Sequence, residues 1–93
     1  MTYLMQHLWP GGNEARYNES IKALHPPGTL PAGQIFHAAA VVDEGVIITA
    51  LWNSKEEADT FVSEVLIPTL PIEGGLDGEP QERAGEAFHV ENA

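Results

Sequence analysis

The stretch Gln34-Ile35-Phe36-His37-Ala38-Ala39-Ala40-Val41-Val42-Asp43-Glu44-Gly45-Val46-Ile47-Ile48-Thr49-Ala50-Leu51-Trp52 decides the fold. Residues 34–42 and 46–52 are dense in Ile, Val, Ala and aromatic types, as strands are. Asp43-Glu44-Gly45 between them suits a three-residue hairpin loop, because Gly45 takes the left-handed position without a Cβ clash. A two-residue turn would instead put Glu44 at positive φ. The three-residue register pairs Val42 with Val46, Ala40 with Ile48, Ala38 with Ala50 and Phe36 with Trp52. One face then carries these eight residues. The other carries Ile35, His37, Ala39, Val41, Ile47, Thr49 and Leu51.

Working outward, residues 2–9 read as a first strand stopped by Pro10-Gly11-Gly12. Asn13 is an N-cap for a first helix, with Glu14 in its first turn. Ala15, Tyr17, Ile21 and Leu24 give that helix an apolar stripe, and residues 25–33, rich in Pro and Gly, form a loop. Ser54 with Glu57 is a capping box opening a second helix. Its buried face runs through Ala58, Phe61, Val62, Val65, Leu66 and Thr69, and Pro68 should end or kink it. Residues 71–81 are acidic and rich in Gly and Pro, which points to a flexible loop. A last strand is expected within Arg83–Val90.

This order gives one α+β domain over residues 1–93. It has a ferredoxin-like βαββαβ plan, a four-stranded antiparallel sheet with two helices on one face. A sheet with one wet face alternates apolar and polar residues, yet both faces of this hairpin are mostly apolar. Two helices cover one face, and the face with Ala38, Ala40 and Ala50 suits their close approach, which leaves the face of His37 open. That open face should be covered by a second copy packing sheet against sheet, as in a dimeric α+β barrel.

The chain has 93 residues, no cysteine and a formal net charge of −10 at pH 7. The missing cysteines exclude disulfides, thiolate nucleophiles and iron–sulfur ligation. The acidity disfavours nucleic acid and anionic membranes as partners. No apolar run reaches bilayer-spanning length and no signal pattern opens the chain, so a cytoplasmic location is expected.

The residues Gly33-Gln34-Ile35-Phe36-His37, the apolar hairpin, Trp52-Asn53-Ser54-Lys55-Glu56-Glu57-Ala58, Phe61 and Val65-Leu66-Ile67-Pro68-Thr69-Leu70 together resemble the antibiotic biosynthesis monooxygenase-like, dimeric α+β-barrel superfamily. The resemblance implies a homodimer with a pocket between sheet and helices. It also implies activities such as cofactor-independent oxidation of polyaromatic phenols or heme degradation. Trp52 matches the Trp ending the third strand in heme-degrading members. Their iron-ligating histidine on the second helix has no counterpart between Lys55 and Leu70, so no heme, metal or other cofactor is assigned.

His37, set among apolar neighbours with Thr49 across the hairpin, is a candidate general base toward a phenolic or enolic substrate; a structural polar tie is the competing role. His89, placed on the last strand, is a second candidate that a dimer could bring toward His37. His7 and His25 have weaker cases. Four scattered histidines without ligand spacing do not read as a metal site. Tyr17, Phe36, Thr49, Trp52 and Phe61 are candidate walls for a small apolar or aromatic ligand, with core packing as the alternative for each aromatic. The expected function is small-molecule binding, and if catalytic, metal-free oxidation of a small substrate. The competing expectation is a non-catalytic dimeric module that binds a ligand or a protein.

Overall fold

The computed structural model describes residues 2–24 and 28–92. The elements follow the expected order: β1 (Tyr3–Pro10), α1 (Glu14–Leu24), β2 (Gln34–Val42), β3 (Gly45–Trp52), α2 (Lys55–Phe61) and β4 (Gln81–Glu86). Helix α2 runs on through a π-helical turn at Val62–Leu66 into a last turn, α3 (Ile67–Thr69). The sheet is antiparallel with strand order β2-β3-β1-β4, the order of a ferredoxin-like α+β fold.

The local signals at the helix starts hold. Asn13 Oδ1 accepts from the Arg16 amide at 2.8 Å, and Ser54 Oγ accepts from the Glu57 amide at 3.2 Å. Each satisfies an amide that has no partner inside its helix. Along α1 the buried stripe passes through Ser20 and not Ala15, which is exposed.

The hairpin register differs from the expected one by one residue. Val42 pairs with Gly45, Val41 with Val46, Ala39 with Ile48, His37 with Ala50 and Phe36 with Leu51. The turn has two residues, and among the described residues only glycines have positive φ, so Glu44 is not strained. Gly45 is drawn out of the loop by its neighbours. A Cβ there would fall onto the Trp9 carbonyl oxygen and come within 2.8 Å of the Gly11 nitrogen. The Gly11 amide meanwhile donates to Glu44 O at 2.8 Å. Pairing of β1 with β3, Pro10 opposite Gly45, needs a bare backbone at this corner. That demand sets the register.

A one-residue slip moves every side chain of a strand to the other face. The β3 residues Val46, Ile48, Ala50 and Trp52 face the helices as expected, but on β2 the faces exchange. His37 turns toward the helices, not toward the open face. Phe36, 51% exposed, lies with Leu51 on the open face, and Thr49 lies there opposite Ala38.

At the start of β2 the pairing changes again. Gln34 stands opposite Trp52 and Phe36 opposite Leu51, leaving Ile35 as the extra residue of a β-bulge. Without the bulge Gln34 and Phe36 would share a face; with it, Gln34 joins His37 on the helix side. The bulge follows a turn in which the Gln34 amide donates to Pro31 O at 3.0 Å and Gly33 has φ +85°. Glycine is the residue that tolerates this conformation.

Two further expectations are corrected. Strand β4 ends at Glu86, because Ala87–Val90 make no further ladder pairs with β1. His89 therefore lies in the segment after the strand, where Nε2 meets Glu91 Oε1 at 2.8 Å. Pro68 falls in the last turn of the helix, as expected: Ile67 donates to Val62 O, the five-residue spacing of a π turn, and the helix closes at Thr69. Residues 71–81 are not a free loop. Ser20 Oγ accepts from the Leu76 amide at 2.7 Å, Arg16 Nη1 donates to Gly75 O at 2.9 Å, and Leu76 is 2% exposed. Loop composition misled here because one leucine outweighs its polar neighbours: burying such a side chain stabilises by about 1.5–3 kcal/mol.

The core forms two clusters between sheet and helices. Met5, Ala50, Trp52 and Ala58 make one, with Phe61 packed on it; Trp9, Val46 and Leu76 make the other, with Tyr17 and Ile48 against it. The opposite sheet face is bare, with Leu4 and Phe36 exposed. Among the described residues no helix is long and apolar enough to cross a membrane. His25 lies outside the described residues.

Candidate functional site

Members of both core clusters line a cavity of about 60 Å³ between the sheet and the helices. Its walls are mostly aliphatic and aromatic, including Met5, Ile48, Phe61, Leu66 and Leu76. The π turn contributes to this lining. With more than four residues per turn it brings Leu70 to the cavity beside the expected Leu66, while Val65 and Thr69 are absent from the lining.

Two pairs of polar groups line the cavity. In one, the Tyr17 hydroxyl lies 2.7 Å from His37 Nε2, joining α1 to β2, with the rings tilted by 37°. Burial pushes the Tyr17 phenol above its ordinary value of about 10, since the tyrosinate loses hydration there. Tyr17 is therefore a neutral phenol at physiological pH and a hydrogen-bond donor as well as an acceptor. Toward the start of β2 lie Trp52 Nε1 and Gln34 Oε1. Both atoms are buried, and among the described residues neither has a hydrogen-bond partner. The Trp52 ring is held by Phe61, centroids 5.2 Å apart.

A second imidazole, His7, also lines the cavity from β1, and its Nε2 lies 3.0 Å from Glu82 Oε2 on β4. Among the described residues no three His, Asp or Glu side chains gather as a metal-ligand group.

Of the candidates read from sequence, His37, Tyr17, Trp52 and Phe61 meet at this one cavity. Phe36 and Thr49 do not. They lie on the open sheet face, where Thr49 Oγ1 is 3.5 Å from Gln6 Nε2. His89 lies apart from the cavity, beside Glu91. Sequence reasoning missed Gln34, Ser20, Leu76 and His7 as parts of the site. The Pro31-Ala32-Gly33 turn before Gln34 was the available signal that the strand begins irregularly.

The arrangement has a cofactor-independent chemistry available to it. A neutral phenol hydrogen-bonded to an imidazole, facing an apolar space, can pass a proton from a bound hydroxyl or activated C–H group to the imidazole. The unpaired indole N–H and amide oxygen can orient the molecule that gives it up.

No protein-family model matches the chain, and no curated protein matches it in sequence. Among solved structures, the fold is similar to that of a proposed antibiotic biosynthesis monooxygenase from Chloroflexus aurantiacus J-10-fl. The match has a TM-score of 0.56 and 17% identity, and it covers 97% of this chain and 98% of that one. The chain thus shares the ferredoxin-like α+β fold of an antibiotic biosynthesis monooxygenase-like protein.

Proposed function

We propose that this protein is a cofactor-independent oxygenase of small enolisable molecules, with Tyr17 and His37 as its proton-transfer pair. The 2.7 Å contact between them at the wall of an apolar cavity carries this reading. The similarity in fold to an antibiotic biosynthesis monooxygenase supports it.

In the proposed step a substrate hydroxyl or acidic C–H gives its proton to the Tyr17 oxygen while the phenol proton moves to His37 Nε2. The substrate anion then donates electrons to dioxygen, and a C–O bond forms to give a hydroperoxide. Loss of water leaves a carbonyl where a CH₂ stood, so one oxygen atom enters the product and the other leaves as water. Burial keeps Tyr17 protonated, as a relay requires.

The cavity narrows the substrate. At about 60 Å³ it is well under the roughly 150 Å³ that accommodates benzene in an engineered protein cavity. Compact enolisable carbonyl compounds fit this space better than polycyclic phenols.

We also read the protein as a homodimer. The open face presents Leu4 and Phe36 beside Ile47 and Leu51, and Phe88 beyond β4 is 98% exposed. Apolar surface of this kind marks an interface, and a second copy with the same face is the simplest cover.

The test is hydrogen–deuterium exchange at the α-carbon of small enolisable ketones, followed by oxygen consumption with the substrates that exchange. Exchange lost in Tyr17→Phe and His37→Leu supports the relay. Wild-type protein without exchange above buffer, or exchange unchanged in both variants, removes it. Without the relay, the dimeric ligand-binding module remains.

A further inference from the structure

We propose that Gln34 and Trp52 form a donor–acceptor reader that selects a neutral ligand carrying a hydroxyl next to a carbonyl. The inference deepens the small enolisable substrate above and rests on that same cavity, but on atoms that the proton relay does not use.

Two independent observations carry it. The first is chemical. Trp52 is 1% exposed, so its indole N–H is shut away from water, and the Gln34 amide oxygen is buried as well. Among the described residues neither has a partner. An unsatisfied buried polar atom costs about 1–3 kcal/mol, and native proteins leave few of them.

The second observation is architectural. Regular pairing would set Ile35 opposite Trp52 and keep Gln34 on the open face. The bulge removes Ile35 from the ladder and puts Gln34 opposite Trp52. Residues directly opposed across antiparallel strands have Cβ atoms about 4.5–5.5 Å apart, and both of these residues line the one cavity. Bulges re-aim side chains beside active sites, and this one exchanges an isoleucine for an amide at the cavity wall. If Gln34 were only a solvent-facing strand residue, no bulge would be needed to place it.

The two atoms are complementary in kind. The indole N–H can only donate, so it requires an acceptor on the ligand. The amide oxygen can only accept, so it requires a donor. Between them they describe a carbonyl and an O–H on neighbouring atoms. Neither atom is charged, which disfavours carboxylates and ammonium groups in this apolar space. The cavity of about 60 Å³ limits the ligand to a handful of non-hydrogen atoms. A hydroxy-ketone of this size is also enolisable, which connects the reader to the Tyr17–His37 pair without depending on it.

The experiment compares hydroxyacetone with butan-2-one, which has the same number of non-hydrogen atoms but no O–H. Binding is followed in the full chain through the indole N–H resonances of Trp9 and Trp52, assigned with Trp52→Phe. The expected result is a saturable shift of the Trp52 resonance. Hydroxyacetone should bind at least tenfold more tightly than butan-2-one, corresponding to about 1.4 kcal/mol. In Gln34→Leu, or in Gln34→Met should the leucine variant not fold, that ratio should fall to about one. A Trp52 resonance that hydroxyacetone leaves unmoved, or equal binding of the two ligands to the wild type, overturns the proposal without any variant. Selectivity that persists in Gln34→Leu also overturns it.

Isotope exchange separates the two readings. Gln34-dependent selectivity with no α-carbon exchange supports the reader while the relay fails. Exchange of both ketones at equal rates, unchanged by Gln34→Leu, sinks the reader and leaves the relay standing.

Discussion

The Tyr17 hydroxyl and His37 Nε2 lie 2.7 Å apart, and this contact ties the first helix to an edge strand across the cavity wall. It exists because β2 pairs with β3 one residue away from the register that its sequence suggests. With His37 on the open face, the helix and the histidine could not meet.

A double-mutant cycle measures this contact. Tyr17→Phe and His37→Leu should each destabilise the fold by about 1 kcal/mol, and the pair should couple by about 0.5–1.5 kcal/mol. Urea unfolding of the four proteins gives the coupling; a value near zero would show that the contact contributes no stability.

Burial raises the Tyr17 phenol above about 10, so the unfolded chain ionises there before the folded one. The resulting stability is complete below the unfolded value and is lost as pH rises through the folded value. Ultraviolet titration should reveal one tyrosine ionising late, and Tyr17→Phe should remove that late step. The denaturant midpoint of the wild type should fall more steeply above pH 10 than that of Tyr17→Phe.

Leu76 and Ser20 hold residues 71–81 against the cavity. Leu76→Ala should cost about 2–5 kcal/mol, like other truncations of buried leucines. Ser20→Ala leaves the Leu76 amide without its partner and should cost about 1–3 kcal/mol. Proteolysis near Gly74 and Gly78 should accelerate in both variants. Unchanged cleavage would mean that the segment is held by something else.

Gly45→Ala tests the corner that sets the register. The added methyl group falls onto the Trp9 carbonyl, which is backbone and cannot swing aside. Destabilisation should exceed the roughly 1–3 kcal/mol of ordinary overpacking. A well-folded Gly45→Ala protein with an unchanged Tyr17–His37 contact would show that this corner does not fix the register.

Phe36→Asp addresses the open face. The residue is 51% exposed and lies away from the cavity. Sedimentation should show the wild type as a dimer and the variant shifted to monomer. Both should have the same far-ultraviolet circular dichroism.

Much of the fold was legible in the sequence. Asn13 and Ser54 announced the helix starts, Pro10-Gly11-Gly12 ended the first strand, and two runs of Ile, Val, Ala and aromatic residues marked the hairpin. These are local rules, in which a residue satisfies or frees a backbone group within a few positions of itself. The candidate site was half legible. His37, Tyr17, Trp52 and Phe61 stood out as residue types, whereas Gln34 and Leu76 did not, since an amide before a strand and a leucine in a Gly-rich loop look ordinary alone.

By itself, then, the sequence determined the order of elements, the caps and the excess of apolar surface. Tertiary structure decided which face each β2 residue occupies. Strand side chains alternate with a period of two, so a one-residue choice of partner reverses all of them. That choice was made by a distant contact, the backbone of Trp9 and Gly11 closing over Gly45. The bulge at Ile35 then reversed the alternation once more at the start of the strand. His37 reached the cavity through the first adjustment, which no local pattern encodes, and Gln34 through the second, which the Pro31-Ala32-Gly33 turn signals only as an irregular start to the strand.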